Sequence, residues 1–177
     1  MGSPQAFQRE KLVIGVLASQ PAESEPLLAL LQGRFGPSDW ASSRLPFTYT
    51  HYYDREMGGP ITRYFLSFRE LVDPGSLAMI KLATNRLEGE LGHEGRRRVN
   101  LDPGLVSLSR FILASTKPGA HRIALAEGIY AEITLIFERG GFRAVEWTYP
   151  DYRSPEYLEI LNHIRGLLKS QLRPPPA

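Results

Sequence analysis

Four short segments combine side chains able to do chemistry with turn residues: Tyr52-Tyr53-Asp54-Arg55-Glu56-Met57-Gly58, Arg96 to Gly104, Thr116-Lys117 with His121-Arg122, and Trp147 to Arg153. Binding and catalytic residues concentrate on loops held by a rigid scaffold. Arg96, Arg98, Lys117 and Arg122, with Asn100 and Tyr149, are candidates for holding an anion, because guanidinium forks suit phosphate and carboxylate oxygens. Read as a strand, Arg96 to Asp102 alternates so that Arg96 and Arg98 share a side with Asn100 and Asp102, leaving Arg97 opposite. Asp102, Glu132 and Asp54 are candidate acid or base groups. Asp102, Glu132 and Asp151 are candidate ligands for Mg²⁺, which favours a few carboxylates completed by phosphate oxygens.

Each residue also has a simpler role. The Arg96-Arg97-Arg98 run suits a solvated strand entrance, Asp102 a turn cap before Pro103-Gly104 and Asp54 a loop salt bridge. Lys81, Asn85 and Glu88 read as the solvated shoulder of a helix. Trp147, Tyr149 and Tyr152 could stack a base or cover a core edge. Glu132 lies in mid-strand between apolar alternates, where a carboxylate needs solvent or a partner, so the Tyr130-Glu132-Thr134 face is a candidate ligand surface.

Several classes fall away. There are no cysteines, which excludes a disulfide framework, thiolate metal sites and a catalytic thiol. His51 and His121 lack metal-ligand spacing, and there is no G-x-S-x-G elbow. The 21 Lys+Arg against 19 Asp+Glu leave a net charge of +2, without the clustering a nucleic-acid footprint needs. No apolar run reaches the roughly 20 residues that cross a bilayer. With no basic leader followed by an apolar segment, the expected location is cytoplasmic.

The elements that must position these segments follow from periodicity. At 177 residues, 42% hydrophobic and 23% charged, the chain reads as one α+β domain over 11–172, with a flexible leader at 1–10 and a Pro-rich tail at 173–177. Lys11 to Ser19 is a strand buried on both faces. A helix starts at Ser24-Glu25-Pro26 and stops at Gly36-Pro37. Phe47 to Tyr53 and Ile61 to Phe68 are expected to pair as a hairpin. Asp73-Pro74 caps a helix with Leu77, Ile80, Thr84, Leu87 and Leu91 on one face.

Val99 to Asp102 is expected as a short strand ended by Pro103-Gly104. To that point the order is the ferredoxin-like β-α-β-β-α-β. Leu105 to Ser115 reads as a helix, with strand as the alternative. His121 to Ala126, Gly128 to Phe137 and Phe142 to Tyr149 are strands of a mixed, mainly antiparallel sheet, the last two forming a hairpin. Within the second of these, Ile129, Ala131, Ile133, Leu135 and Phe137 are expected on one face. Ser154-Pro155-Glu156 opens the last helix, which Arg173-Pro174-Pro175-Pro176 ends.

The segments YYDREMG, RRVNLDPG, STK…HRIAL…GIYAEITL and WTYPDYR together resemble a bacterial family known as a domain of unknown function, number 4416, over about Lys11 to Leu172. Members of that family are sometimes labelled GTP-binding, and the resemblance carries no established reaction or site residue. This chain has no G-x-x-x-x-G-K-[ST] loop. Its Thr116-Lys117-Pro118-Gly119 has Gly119 where a guanine-reading T-K-x-D sequence has its acid. The expectation is a binder of a small anionic ligand, a nucleotide or other phosphorylated metabolite, with Mg²⁺ as a candidate cofactor. A non-catalytic protein-interaction module and an RNA-binding domain are the alternatives, the latter without the K/R-G-F/Y-G/A-F signature.

Overall fold

A computed structural model describes residues 2–19 and 25–173. Ser24 and Pro174 to Pro176, expected at helix ends, lie outside the described residues, as does most of the tail. β1 (Glu10–Ser19) is buried along its whole length, as its apolar run demands. α1 (Glu25–Phe35) follows, then two short strands, β2 (Ser38–Ala41) and β3 (Leu45–Pro46), and a single turn of helix, α2 (Asp54–Met57). β4 (Ile61–Val72) leads through Asp73, whose carboxylate accepts from the Gly75 amide, into α3 (Leu77–Glu90).

β5 (Val99–Val106), β6 (Arg110–Ser115), β7 (Arg122–Ala124), β8 (Tyr130–Glu138) and β9 (Gly141–Ala144) precede α4 (Pro155–Gln171). The Ser154 hydroxyl caps α4 by accepting from the Tyr157 amide. No helix among the described residues is long and apolar enough to cross a membrane.

The nine strands form one open sheet in the order β2-β4-β1-β5-β6-β8-β7, with β3 against β4 and β9 against β8. Every pairing is antiparallel. Because β1 and β2 both oppose β4, they run in the same direction with β4 between them. α1 and α3 cover one face, packing Leu27, Leu31, Leu77 and Ile80 onto Leu12, Ile14, Val16 and Leu101. α4 covers part of the other, setting Tyr157, Leu161, Ile164 and Leu168 against Val13, Phe65, Phe111 and Leu135.

Several expectations need correction. Pro103-Gly104 does not end a strand: β5 runs through it to Val106. Leu105 to Ser115 is the end of β5, a turn and β6, with no helix. Gly104 makes this possible, since a Cβ there would stand 2.5 Å from the Ile112 carbonyl oxygen and 2.6 Å from the Phe111 ring. Phe47 to Tyr53 is not a strand. The segments that pair with β4 are β2 and β3, and Phe47 adds only an amide bond to the Ile61 carbonyl.

β8 does not keep one apolar face either. A register shift opposite Phe111/Ile112 sends Ala131 and Ile133 to the α1/α3 side and Leu135 and Phe137 to the α4 side. The β8–β9 hairpin forms, but β9 stops at Ala144, and the remainder to Tyr149 is turn.

Candidate functional site: a cleft at a fork in the sheet

β5 pairs with β1 from Val99 to Val106 but with β6 only from Gly104 to Val106. Pro103 has no N–H with which to carry the β6 ladder further, and beyond it the two strands separate. The backbone groups this frees are taken up by α3. The Leu101 amide donates to Glu88 Oε1 at 2.7 Å, and Lys81 Nζ donates to the Leu101 carbonyl at 2.8 Å. Lys81 and Glu88 are thus buried partners of a strand, not a solvated shoulder; each is under a tenth exposed. Burial raises the Glu88 carboxyl above its ordinary pKa, with the Lys81 ammonium opposing.

A cleft of about 630 Å³ occupies the fork. β4 and β5 provide Arg63, Asn100 and Asp102, and α3 provides Lys81, Asn85 and Glu88. From β6, β8 and the turn after β6 come Ser115, Glu132 and Lys117. Tyr52 and Tyr53 stand over one side, and Tyr149, Asp151 and Tyr152, from the segment leading to α4, stand over the other.

Arg63 is the centre of the charge arrangement and 2% exposed. Its guanidinium lies across β1 at Gly15, where a Cβ would come within 2.7 Å of Nη1. Nη1 donates to Asp102 Oδ2 at 2.9 Å, and Nη2 stands 3.5 Å from Asp151 Oδ2. Asp102 also accepts from Asn100 Nδ2 at 3.0 Å. Burial alone would raise the Asp102 carboxyl, but the charges of Arg63 and Lys81 outweigh it and hold the pKa below the ordinary value. Burial wins at Asp151, whose pKa is raised against the pull of Arg63. One guanidinium therefore serves two carboxylates of opposite proton affinity. Burial, reinforced by the Asp102 charge, pushes the Tyr53 phenol up to about 12, so it remains a hydrogen-bond donor.

The rim is organised by two further arginines. Arg97 forms a two-pronged pair with Glu56 of α2, Nε to Oε1 at 2.8 Å and Nη2 to Oε2 at 2.7 Å, and donates to Asn100 Oδ1 at 3.2 Å. Arg122 donates to Glu132 at 2.8 Å and to the Tyr149 hydroxyl at 2.6 Å. Glu132, 1% exposed, also faces His121 Nε2 at 3.1 Å.

Of the residues singled out in the sequence, Asn100, Asp102, Lys117, Glu132, Tyr149 and Asp151 share the cleft, and Arg122 braces two of them. Arg96 and Arg98 do not line it: strand geometry begins only at Val99, and Arg97 turns in instead. Asp54 pairs with exposed His51 at 2.7 Å, away from the cleft. Tyr130 and Thr134 do not line it, and Trp147 stacks on His121 with ring centroids 5.4 Å apart.

Sequence reasoning missed Arg63, Lys81 and Glu88. A lone arginine inside the β-type run Ile61 to Phe68 was the available signal for the first, since it must be buried and paired there. No group of three or more His, Asp or Glu side chains among the described residues is arranged to hold a metal ion, and Asp102, Glu132 and Asp151 each face an arginine.

No curated protein and no solved structure matches the chain. A family model does match, over residues 8–167, which is most of the sequence. The segments that build the fork and its cleft all lie within that match, and the chain belongs to the family described as Domain of unknown function (DUF4416).

Proposed function

We propose that the fork cleft binds a small anionic ligand, a nucleotide or other phosphorylated metabolite. The observation that carries this reading is convergence. Tyr52 and Tyr53, Arg97 with Asn100 and Asp102, Thr116 and Lys117, and Tyr149 with Asp151 all line one cavity. They come from four segments far apart in sequence, and segments that merely ended secondary structure would have no reason to meet. A convergent set of polar groups in one concave site is what small-ligand recognition requires. It speaks against the interaction-module alternative.

Lys117 is the cation suited to the anion. Among the described residues no carboxylate pairs with it, and its Nζ lies 5.3 Å from the Tyr52 ring centroid, so charge and a stacking surface adjoin. Arg63, Arg97 and Arg122 are already engaged by carboxylates.

The test is a thermal-shift screen against nucleotides and phosphorylated metabolites, with and without Mg²⁺, followed by titration of each hit. A ligand at about 100 times its Kd stabilises by roughly 2.7 kcal/mol. Lys117→Met should cost a hit about 1.5–3 kcal/mol of affinity, the range for a charged hydrogen bond. Arg98→Met, off the cleft, should cost nothing. An absence of hits, or equal losses in the two variants, overturns the reading.

A further inference from the structure

The inner end of the cleft has a different chemistry from its rim. Around Arg63 the carboxylates of Asp102 and Asp151 outnumber its single guanidinium, while Glu88 stands between Lys81 and Arg97. An anionic group is repelled there, and a hydrogen-bond donor is welcome. Acceptor capacity is also left over. An ionised carboxylate offers about four acceptor sites, and Asp102 uses one on Arg63 and one on Asn100 while keeping 26% of its side chain open. Asp151 has a loose 3.5 Å contact with Arg63 and accepts from the backbone amides of Asp151 and Tyr152, but from no other side chain among the described residues. Beside them Tyr152 lines the cleft, and its hydroxyl, buried over Gly15 next to Arg63, has no hydrogen-bond partner. A buried hydroxyl left in this way calls for a polar group from outside the chain.

We propose that the inner end is a hydroxyl-reading subsite: Asp102 and Asp151 accept from neighbouring hydroxyls of a sugar, and the ligand's phosphate points outward to Lys117. The inference rests on the reading of the cleft as an anion site and narrows its ligand to a sugar phosphate, free or within a nucleotide. The two carboxylates hang from the two Nη atoms of one guanidinium, which holds them side by side, as adjacent hydroxyls require. Asp151, whose carboxyl burial has already made reluctant to ionise, gains most from a donor that stabilises its charge.

The experiment is calorimetric titration of the full chain with ribose 5-phosphate, 2-deoxyribose 5-phosphate and inorganic phosphate. Ribose 5-phosphate should bind about tenfold to a hundredfold more tightly than its deoxy form, as loss of a hydrogen bond to a charged group implies. Inorganic phosphate should be weaker than either. In Asp151→Asn the two sugar phosphates should come within about twofold of each other. Equal affinity of the two in the wild-type chain overturns the hydroxyl subsite and leaves the anion site standing. Failure of all three, together with an empty nucleotide screen, overturns both. The wild-type comparison decides the matter even if the variant does not fold.

Discussion

Arg63→Met removes the one guanidinium on which two carboxylates depend while keeping an unbranched stem over Gly15. Breaking a buried ion pair from one side costs about 3–5 kcal/mol, because the remaining charge stays desolvated. Asp102 is 26% open to the cleft and Arg63 only 3%, so water screens part of the orphaned charge and the loss belongs near 3 kcal/mol at neutral pH. Its pH dependence is more telling than its size. In the wild-type chain the Asp102 carboxyl lies below its ordinary pKa. Its contribution is therefore present above the unfolded value and is lost as pH falls through the lowered one. Without Arg63, burial raises that carboxyl, and the folded variant takes up a proton more readily than the unfolded one. Mild acid, above about pH 4, thus relieves the variant while the wild type keeps this contribution. Urea unfolding of both proteins at pH 7.5 and pH 4.5 measures the difference. The stability gap should narrow clearly at the lower pH, and adding Asp102→Asn should recover part of it at the higher. A gap below about 1 kcal/mol at neutral pH, the range for an exposed pair, would refute the reasoning, as would one that widens in acid.

Three further outcomes are expected. Gly104→Ala should destabilise more than Gly15→Ala in denaturant melts: the new methyl meets the Ile112 carbonyl and the Phe111 ring at under 3 Å in the first and only Arg63 Nη1 that closely in the second, where overpacking costs about 1–3 kcal/mol. Asp151→Asn should alter the pH profile of stability. With its folded pKa raised, Asp151 contributes stability below its unfolded value that is lost as pH rises through the folded one, so the variant should gain on the wild type in urea melts as pH rises above about 4. Glu56→Gln, at a pair about one-third exposed on each side, should cost no more than about 1 kcal/mol, and a larger loss in the same melts would make the Arg97 pair structural.

Local periodicity was enough to read β1, α1, α3, α4 and the β8–β9 hairpin, since each carries its own pattern and stop signal. It failed where a residue's meaning depends on a distant neighbour. Pro103-Gly104 has turn chemistry in isolation, yet β1 supplies a partner for Pro103 and the closeness of Ile112 demands Gly104. The Arg96–Arg98 alternation began too early, because the strand does not start until Val99. Asn100, Asp102 and Glu132, which share the cleft, were legible as candidates because polar side chains stood in strand-like segments. Lys81 and Glu88 were not: on a helix wheel they flank the apolar stripe like any solvated pair, and only the gap beside Leu101 explains their burial.

A free strand edge is a template for another strand, and proteins guard such edges with charge, proline or cover. This sheet carries, besides its outer margins at β2 and β7, an edge in its interior, from Val99 to Asp102 on the side that β6 leaves. Pro103 marks where it begins, and Lys81 and Glu88 occupy the donor and acceptor of Leu101 that an invading chain would need. The side chains that hold the fork open therefore also guard it against being zipped shut, by β6 or by a strand of another molecule, because the Leu101 groups such a strand would pair with are already engaged.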